Sequence, residues 1–320
     1  MFKPIRIGTR ESPLAVWQAT QVLEGLRREG KEAALVPIAS EGDVDLTTPL
    51  YEMGVQGIFT RSLDIALLNN RIDVAVHSMK DVPTQLADGL TQAAVLTRGS
   101  YKDVLIYKGD WSSVRPAIGE AYSPVSNSVT PDRGPFVVAT SSIRRKAQWL
   151  NRYPGHTIEN LRGNVNTRLR KLDENHWRGA IFAAAGIERL KLRPIHAIDL
   201  DWMLPAPAQG AIMAVCRLMD DDAFQACRSL NDPATEICTK IERDFLRSLL
   251  GGCSTPISAL AEMEKDEVYF RGNILSPDGI HKVDIEKVLP LDKAAQLGRE
   301  AAEEILQKGA KEIIEIIRND

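Results

Sequence analysis

The chain is poor in cysteine and histidine. Its 320 residues hold four cysteines and five histidines. The cysteines, at 216, 227, 238 and 253, form no C-x-x-C pair, and no histidines stand at metal-ligand spacing. Neither a metal site nor a disulfide framework is expected, and the thiols fit a reducing cytosol. Excess charge is also missing: the net charge is −3, which argues against general nucleic-acid binding. No segment approaches the ~20 apolar residues that a membrane span needs. The first residues, Met1 to Arg6, run straight into a strand without an apolar leader, so the expectation is a cytoplasmic protein.

What is present reads as alternating strands and helices. Ile72-Asp73-Val74-Ala75-Val76 is short, β-branched and apolar, the pattern of a buried strand in a parallel sheet. Ser78, Lys80 and Asp81 follow at its carboxyl end, where α/β sheets place ligands, and Pro83 blocks continuation. From this stretch alone, a solvated loop with an incidental ion pair is the plainer reading.

Arg6 to Gly8 closes a first strand, and a helix from Pro13 to Arg28 follows, with Ser12 as its cap. Its free N–H groups beside Arg10 suit an anion. A strand at 34–38, a long loop at 40–57 and a helix at 59–68 complete this region. Further strands are expected at 102–107, 137–139, 157–160, 180–184 and 211–217. An irregular excursion separates the first two of these at about 108–135. Thr140-Ser141-Ser142-Ile143-Arg144-Arg145 repeats the early order of strand, Thr, Ser and Arg, then helix, which suggests two similar lobes. Met203 to Gly210 reads as a crossing between them. After about 231 the character changes to a helix at 233–250, strands at 257–263, 267–275 and 280–288, and a helix at 293–308. This is a separate α+β module.

Six arginines stand at expected strand ends or helix starts: Arg10, Arg144, Arg145, Arg162, Arg168 and Arg189. Guanidinium groups pair bidentately with carboxylate and phosphate. Gathered on one cleft they would repel one another unless a polyanion lay between them; scattered, they are ordinary surface residues. Cys253 follows two glycines, so it is either an accessible thiolate activated by nearby arginines or a small buried residue.

These segments together resemble the porphobilinogen deaminase family over nearly the whole chain. The likeness rests on Thr9-Arg10-Glu11-Ser12-Pro13-Leu14-Ala15, Ala75-Val76-His77-Ser78-Met79-Lys80-Asp81-Val82-Pro83, Thr140 to Arg145, Leu161-Arg162-Gly163-Asn164-Val165, Gln209-Gly210-Ala211 and Gly251-Gly252-Cys253. It implies an α/β fold of two type II periplasmic-binding-protein-like lobes plus a C-terminal α+β domain with a small antiparallel sheet. The domains would be 1–98 with 211–230, 104–204, and 231–320.

The resemblance further implies a transferase of tetrapyrrole biosynthesis, a monomer with no nucleic-acid or membrane partner. A dipyrromethane cofactor would be held by thioether to Cys253. Four porphobilinogen molecules would be added head to tail, each losing ammonia, and hydrolysis would free linear hydroxymethylbilane. Every pyrrole carries an acetate and a propionate, so the growing chain is a polyanion suited to the arginines. Loss of ammonia leaves an electron-poor azafulvene, and positive charge builds on pyrrole nitrogen. Asp81 is the implied catalytic carboxylate. Ser78, Lys80, Asp81, Thr140, Ser141, Ser142, Arg144, Arg145, Arg162 and Gly163 would hold the cofactor. Arg10, Ser12, Arg168, Arg189 and Gln209 would hold substrate or growing chain, and Phe59 either stacks on a pyrrole or packs in the core.

The chain departs from the family pattern twice. Gln56 stands where a lid lysine is common, in a lid loop that also carries Asp43, and the 108–135 excursion is longer than bacterial members need. The rival reading is a non-catalytic two-lobed polyanion-binding protein, since fold alone does not fix function.

Overall fold

The computed structural model describes residues 3–39, 60–109, 114, 136–249 and 255–319. In the first lobe, β1 (Ile5–Thr9) leads to α1 (Pro13–Arg28), β2 (Ala33–Pro37), α2 (Arg61–Leu68), β3 (Val74–Ser78) and β4 (Leu90–Val95). Helix α1 starts where the Ser12 hydroxyl accepts from the Ala15 N–H at 3.4 Å and Pro13 takes the first position. Ala19, Val22, Leu23 and Leu26 recur at three- and four-residue spacing and pack in one core with Val74 and Val76 of β3.

The second lobe holds β5 (Asp103–Tyr107), β6 (Val137–Ala139), α3 (Ile143–Arg152), β7 (Thr157–Glu159), α4 (Val165–Glu174), β8 (Gly179–Ala183), α5 (Ala184–Arg189) and β9 (Ala197–Asp199). The chain then returns to the first sheet as β10 (Ile212–Arg217) and α6 (Asp221–Arg228). The sheet orders are β2-β1-β3-β10-β4 and β7-β6-β8-β5-β9. They match position for position, so β1–α1 and β6–α3, the two Thr–Ser–Arg segments, occupy equivalent places.

The expected parallel setting of β3 holds on one side only. It runs parallel to β1 but antiparallel to β10, with Ile212 opposite Ser78. The physical reason is the entry point. β10 arrives from the other lobe at the carboxyl end of β3, so it must run back down the sheet. β5 sits likewise, antiparallel to β8.

Two segments, about 96–102 and 203–211, cross between the lobes; Gly99 N–H bonds Gly210 O at 3.1 Å, and Leu96 N–H bonds Ile212 O at 3.0 Å where the second enters β10. Gly210 has φ +89°, and a Cβ there would lie 2.6 Å from Gly99 O. Only glycine lets the two backbones pass so closely.

The C-terminal module packs α7 (Pro233–Ser248) and α8 (Leu297–Ile305) on an antiparallel sheet of β11 (Ile257–Glu264), β12 (Glu267–Leu275) and β13 (Lys282–Pro290). Ile241, Phe245, Phe270, Ile274, Leu297 and Ala301 form its core. The expected helix at 293–308 is instead a 3₁₀ turn, then α8, then a break at Gly309 (φ +108°), then α9 (Lys311–Asn319). The module docks on the second lobe through Gln148 Nε2 to Ser258 Oγ (3.0 Å) and Asn151 Nδ2 to Gly279 O (2.8 Å).

Val114, a described residue within the expected excursion, is buried beside Leu105, Trp149 and Tyr153. No helix among the described residues is long and apolar enough to cross a membrane. Cys216, Cys227 and Cys238 are buried, and burial pushes their thiols up to about 11, 12 and 11.

Candidate active site

The site forms where the carboxyl ends of both sheets meet the crossings. β3 ends at Ser78, whose hydroxyl accepts from Gln18 Nε2 at 2.8 Å. A single 3₁₀ turn, Met79–Asp81, then presents Lys80 and Asp81. Half-buried Lys80 donates to Gln209 Oε1 at 3.3 Å. Burial pulls its ammonium down to about 8; Arg145 and Arg144 add to the pull, while Asp81 and Asp103 oppose it.

Asp103, the first residue of β5, is fully buried. Its Oδ2 lies 2.8 Å from Arg144 Nη2, and its Oδ1 accepts from Arg145 Nη2 at 2.8 Å and Gln209 Nε2 at 2.9 Å. Burial alone would raise its pKa, yet Arg144 and Arg145 lead a set of favourable contacts that hold it at about 2. Each arginine also reaches backbone: Arg144 Nη1 donates to Leu204 O at 2.6 Å and Arg145 Nη1 to Ile181 O at 3.0 Å. Both arginines are on α3, whose N-terminus is capped by Ser142 accepting from the Arg145 N–H at 3.4 Å. Thr140 Oγ1 accepts from the Ser142 N–H at 3.2 Å, and Thr140 and Ser141 are buried.

Arg162 is buried at the end of the β7 strand connection, and Gly163 follows with φ +115°. Asn164 caps α4 by accepting from the Thr167 N–H at 2.9 Å. One turn on, Arg168 donates to Gly163 O at 2.7 Å. Burial, with Arg145 and Arg162 adding repulsion, pulls the Arg168 guanidinium down to about 10, against the pull of Asp81. Lys80 interacts with Asp81, Asp103, Arg144 and Arg145, and Arg168 with Asp81, Arg145 and Arg162, so one site holds five cations to two carboxylates. Such an excess persists only where an anion answers it.

Arg10 follows β1, the parallel neighbour of β3, and its charge helps burial pull His77 down to about 4. Ser12 caps α1. Arg189 stands apart from the five: it donates to Gly210 O at 2.6 Å and lies 5.4 Å above the Trp17 ring, bracing the crossings. Gln209 is fully buried and spans the lobes, bonding Lys80 on one side and Asp103 and Tyr101 O (2.8 Å) on the other. Cys253, Phe59, Asp43 and Gln56 lie outside the described residues. No group of three or more metal-ligating side chains exists among the described residues.

Sequence reasoning passed over Asp103, Gln18 and Glu242. Glu242 carried a signal: Cys238, Glu242, Phe245 and Leu246 share one face of α7, so a carboxylate sits among core residues. It is fully buried and accepts from Arg98 Nη1 (2.6 Å), Ala261 N–H (2.8 Å) and Ala208 N–H (2.6 Å). Arg98 also donates to Gln209 O at 2.8 Å. One carboxylate of the C-terminal module therefore grips both crossings.

Comparison with known proteins points to one family. Residues 5–225 match the family model described as "Porphobilinogen deaminase, dipyromethane cofactor binding domain", and residues 236–307 match "Porphobilinogen deaminase, C-terminal domain". The porphobilinogen deaminase of Acidithiobacillus ferrooxidans is 40% identical over 98% of this chain and 98% of its own. Solved structures with similarity include the methionine-binding protein MetQ (TM-score 0.41, 14% identity, 70% of this chain and 89% of that one). Another is the VFT2 domain of Bordetella pertussis BvgS in a double-mutant form (TM-score 0.41, 10% identity, 71% and 85%). On the two family models and the 40% relative, the chain belongs to the porphobilinogen deaminase family of transferases.

Proposed function

We propose that this chain is a hydroxymethylbilane synthase, adding four porphobilinogen units to a dipyrromethane on Cys253 and releasing the linear tetrapyrrole. The observation that carries the reading is the excess of cations in the site that holds Asp81 and Asp103. A dipyrromethane brings four carboxylates, and the five cations, offset by Asp81 and Asp103, leave a positive excess to meet them. When bound, the cofactor supplies the pyrrole carbon to which the first unit is joined, and it stays behind at release.

The chain's own residues do the rest. Arg144, Arg145, Arg162 and Lys80, with Ser78, Thr140, Ser141, Ser142 and Gly163 around them, hold the cofactor. Arg144 and Arg145 are fixed by Asp103, so they meet an acid without reorganising. Arg10, Ser12 and Arg168 orient porphobilinogen or the growing chain, with Gln209 and Arg189 setting the crossings beside them. Asp81 accepts N–H hydrogen bonds from pyrrole nitrogen, stabilises the positive charge that builds as ammonia leaves, and moves protons. The proposed domains are 1–98 with 211–230, 104–204 and 231–320; membership of the three sheets supports this division.

The test is Asp81→Asn. It should keep the attached cofactor, read by intact mass, and lose nearly all turnover. Near-normal turnover would remove Asp81 from the role.

A further inference from the structure

The turn that carries Lys80 and Asp81 is only three residues long and has one internal fastening, Val82 N–H to Met79 O at 3.1 Å. A single 3₁₀ turn does not hold its own shape. Two groups from elsewhere fix it. From the crossing just before β10, Ala211 O accepts from the Met79 N–H at 3.0 Å. From the C-terminal module, Arg243 of α7 reaches across and spreads one guanidinium over three carbonyls. Nη1 donates to Val82 O at 2.9 Å and Met79 O at 3.4 Å, and Nη2 donates to Pro83 O at 2.6 Å. These carbonyls flank Asp81 on both sides. Glu242, the preceding residue, anchors the same helix to both crossings.

We infer that Arg243 is a positioning residue for the reaction: its guanidinium, fixed to the crossings through α7, holds the Met79–Pro83 backbone so that the Asp81 carboxylate meets the reacting pyrrole nitrogen. This rests on the reading of Asp81 given above. Arg243 touches the carbonyls of the turn, so its effect reaches the chemistry through the side chains the turn presents, chiefly Asp81. Binding depends mainly on Arg144, Arg145, Arg162 and Arg168 of the second lobe. Arg144, Arg145 and Arg168 have anchors of their own at Asp103, Leu204 O, Ile181 O and Gly163 O. Losing Arg243 should therefore act on kcat and spare KM. Displacement of a catalytic group by about 1 Å can cost on the order of a hundredfold in rate.

The experiment compares Arg243→Met and Arg243→Lys in the parent enzyme and in Asp81→Asn, by steady-state and single-turnover kinetics with porphobilinogen. Intact mass and thermal melting confirm cofactor and fold. Arg243→Met should lower kcat about thirtyfold or more with KM within about threefold. Arg243→Lys, which keeps the charge and part of the donor set, should recover much of the loss. In Asp81→Asn, the further loss from Arg243→Met should be under about threefold, because the group being positioned is already gone. A kcat within threefold of the parent, or a full thirtyfold loss repeated in Asp81→Asn, would overturn the inference. If Arg243→Met does not fold, Arg243→Lys carries the same comparison: a loss in the parent that vanishes in Asp81→Asn supports it, and equal losses overturn it. Parent-like turnover in Asp81→Asn alone would overturn the role of Asp81, a result distinguishable from failure at Arg243.

Discussion

Replacing Asp103 by Asn tests whether charge balance, and not packing alone, holds the site together. The carboxylate is fully buried, and both its oxygens face guanidinium groups at 2.8 Å. Asn is nearly isosteric, but its Nδ2 would point donor to donor at Arg144 or Arg145. Removing one partner from a buried ion pair costs about 3–5 kcal/mol, since the other charge is left uncompensated. Here two guanidiniums would be stranded, with Lys80 beside them. At that cost the melting temperature should fall by roughly 5–15 °C, read by scanning fluorimetry. The loss should be larger in a cofactor-free Cys253→Ser background than in the loaded enzyme, because a bound polyanion would neutralise the stranded arginines. The pH dependence has a defined sign. The folded pKa of about 2 lies below the reference 3.8, so this carboxylate contributes on the order of 2 kcal/mol at neutral pH. That contribution is present above about pH 4 and is lost as pH falls towards 2. An Asp103→Asn protein that melts within about 1 °C of the parent, loaded and unloaded, would refute the reasoning.

Three further expectations follow from the same geometry. The ammonium of Lys80, pulled down to about 8 by burial in the cofactor-free chain, loses its charge as pH rises through that value, so uptake of the dipyrromethane by the cofactor-free enzyme should slow above about pH 8. Lys80→Arg should remove that slowing, and an unchanged slowing would assign it to another group. Glu242→Gln leaves Arg98 without its carboxylate at the junction of crossings and C-terminal module, so it should destabilise by about 3–5 kcal/mol, read as a lowered denaturation midpoint; an unmoved midpoint would contradict its grip on the two crossings. Gly210→Ala must place a Cβ 2.6 Å from Gly99 O at φ +89°, a strain of about 1–3 kcal/mol that should lower both melting temperature and turnover.

Local features were legible in the residues. The Ser12–Pro13 helix start, the β-branched run of β3 and the alternation of α/β elements all fall where the chain's pattern places them. The candidate cations could be picked because arginine at a strand end or helix start is a local signal. What could not be read depends on how the crossings fold back. β10 gives no sign that it will insert antiparallel beside β3. β4 (Leu90–Val95) carries Thr91 and Gln92 within it, and β9 spans three residues, so neither shows a clear period. Asp103 looks like any polar residue opening a strand until Arg144 and Arg145, some forty positions on, fold over it. Arg189 is expected at a helix start like Arg144 and Arg145, yet it closes α5, and its guanidinium goes to Gly210 O and Trp17. Only the path of the crossings decides that.

The most direct measurement of the central claim is the intact mass of the purified protein and of its Cys253→Ser variant. The account expects the parent to carry the added mass of two linked pyrrole units, and the variant to show the bare polypeptide. A parent at the bare polypeptide mass that still converts porphobilinogen, or the same added mass on both proteins, would contradict it.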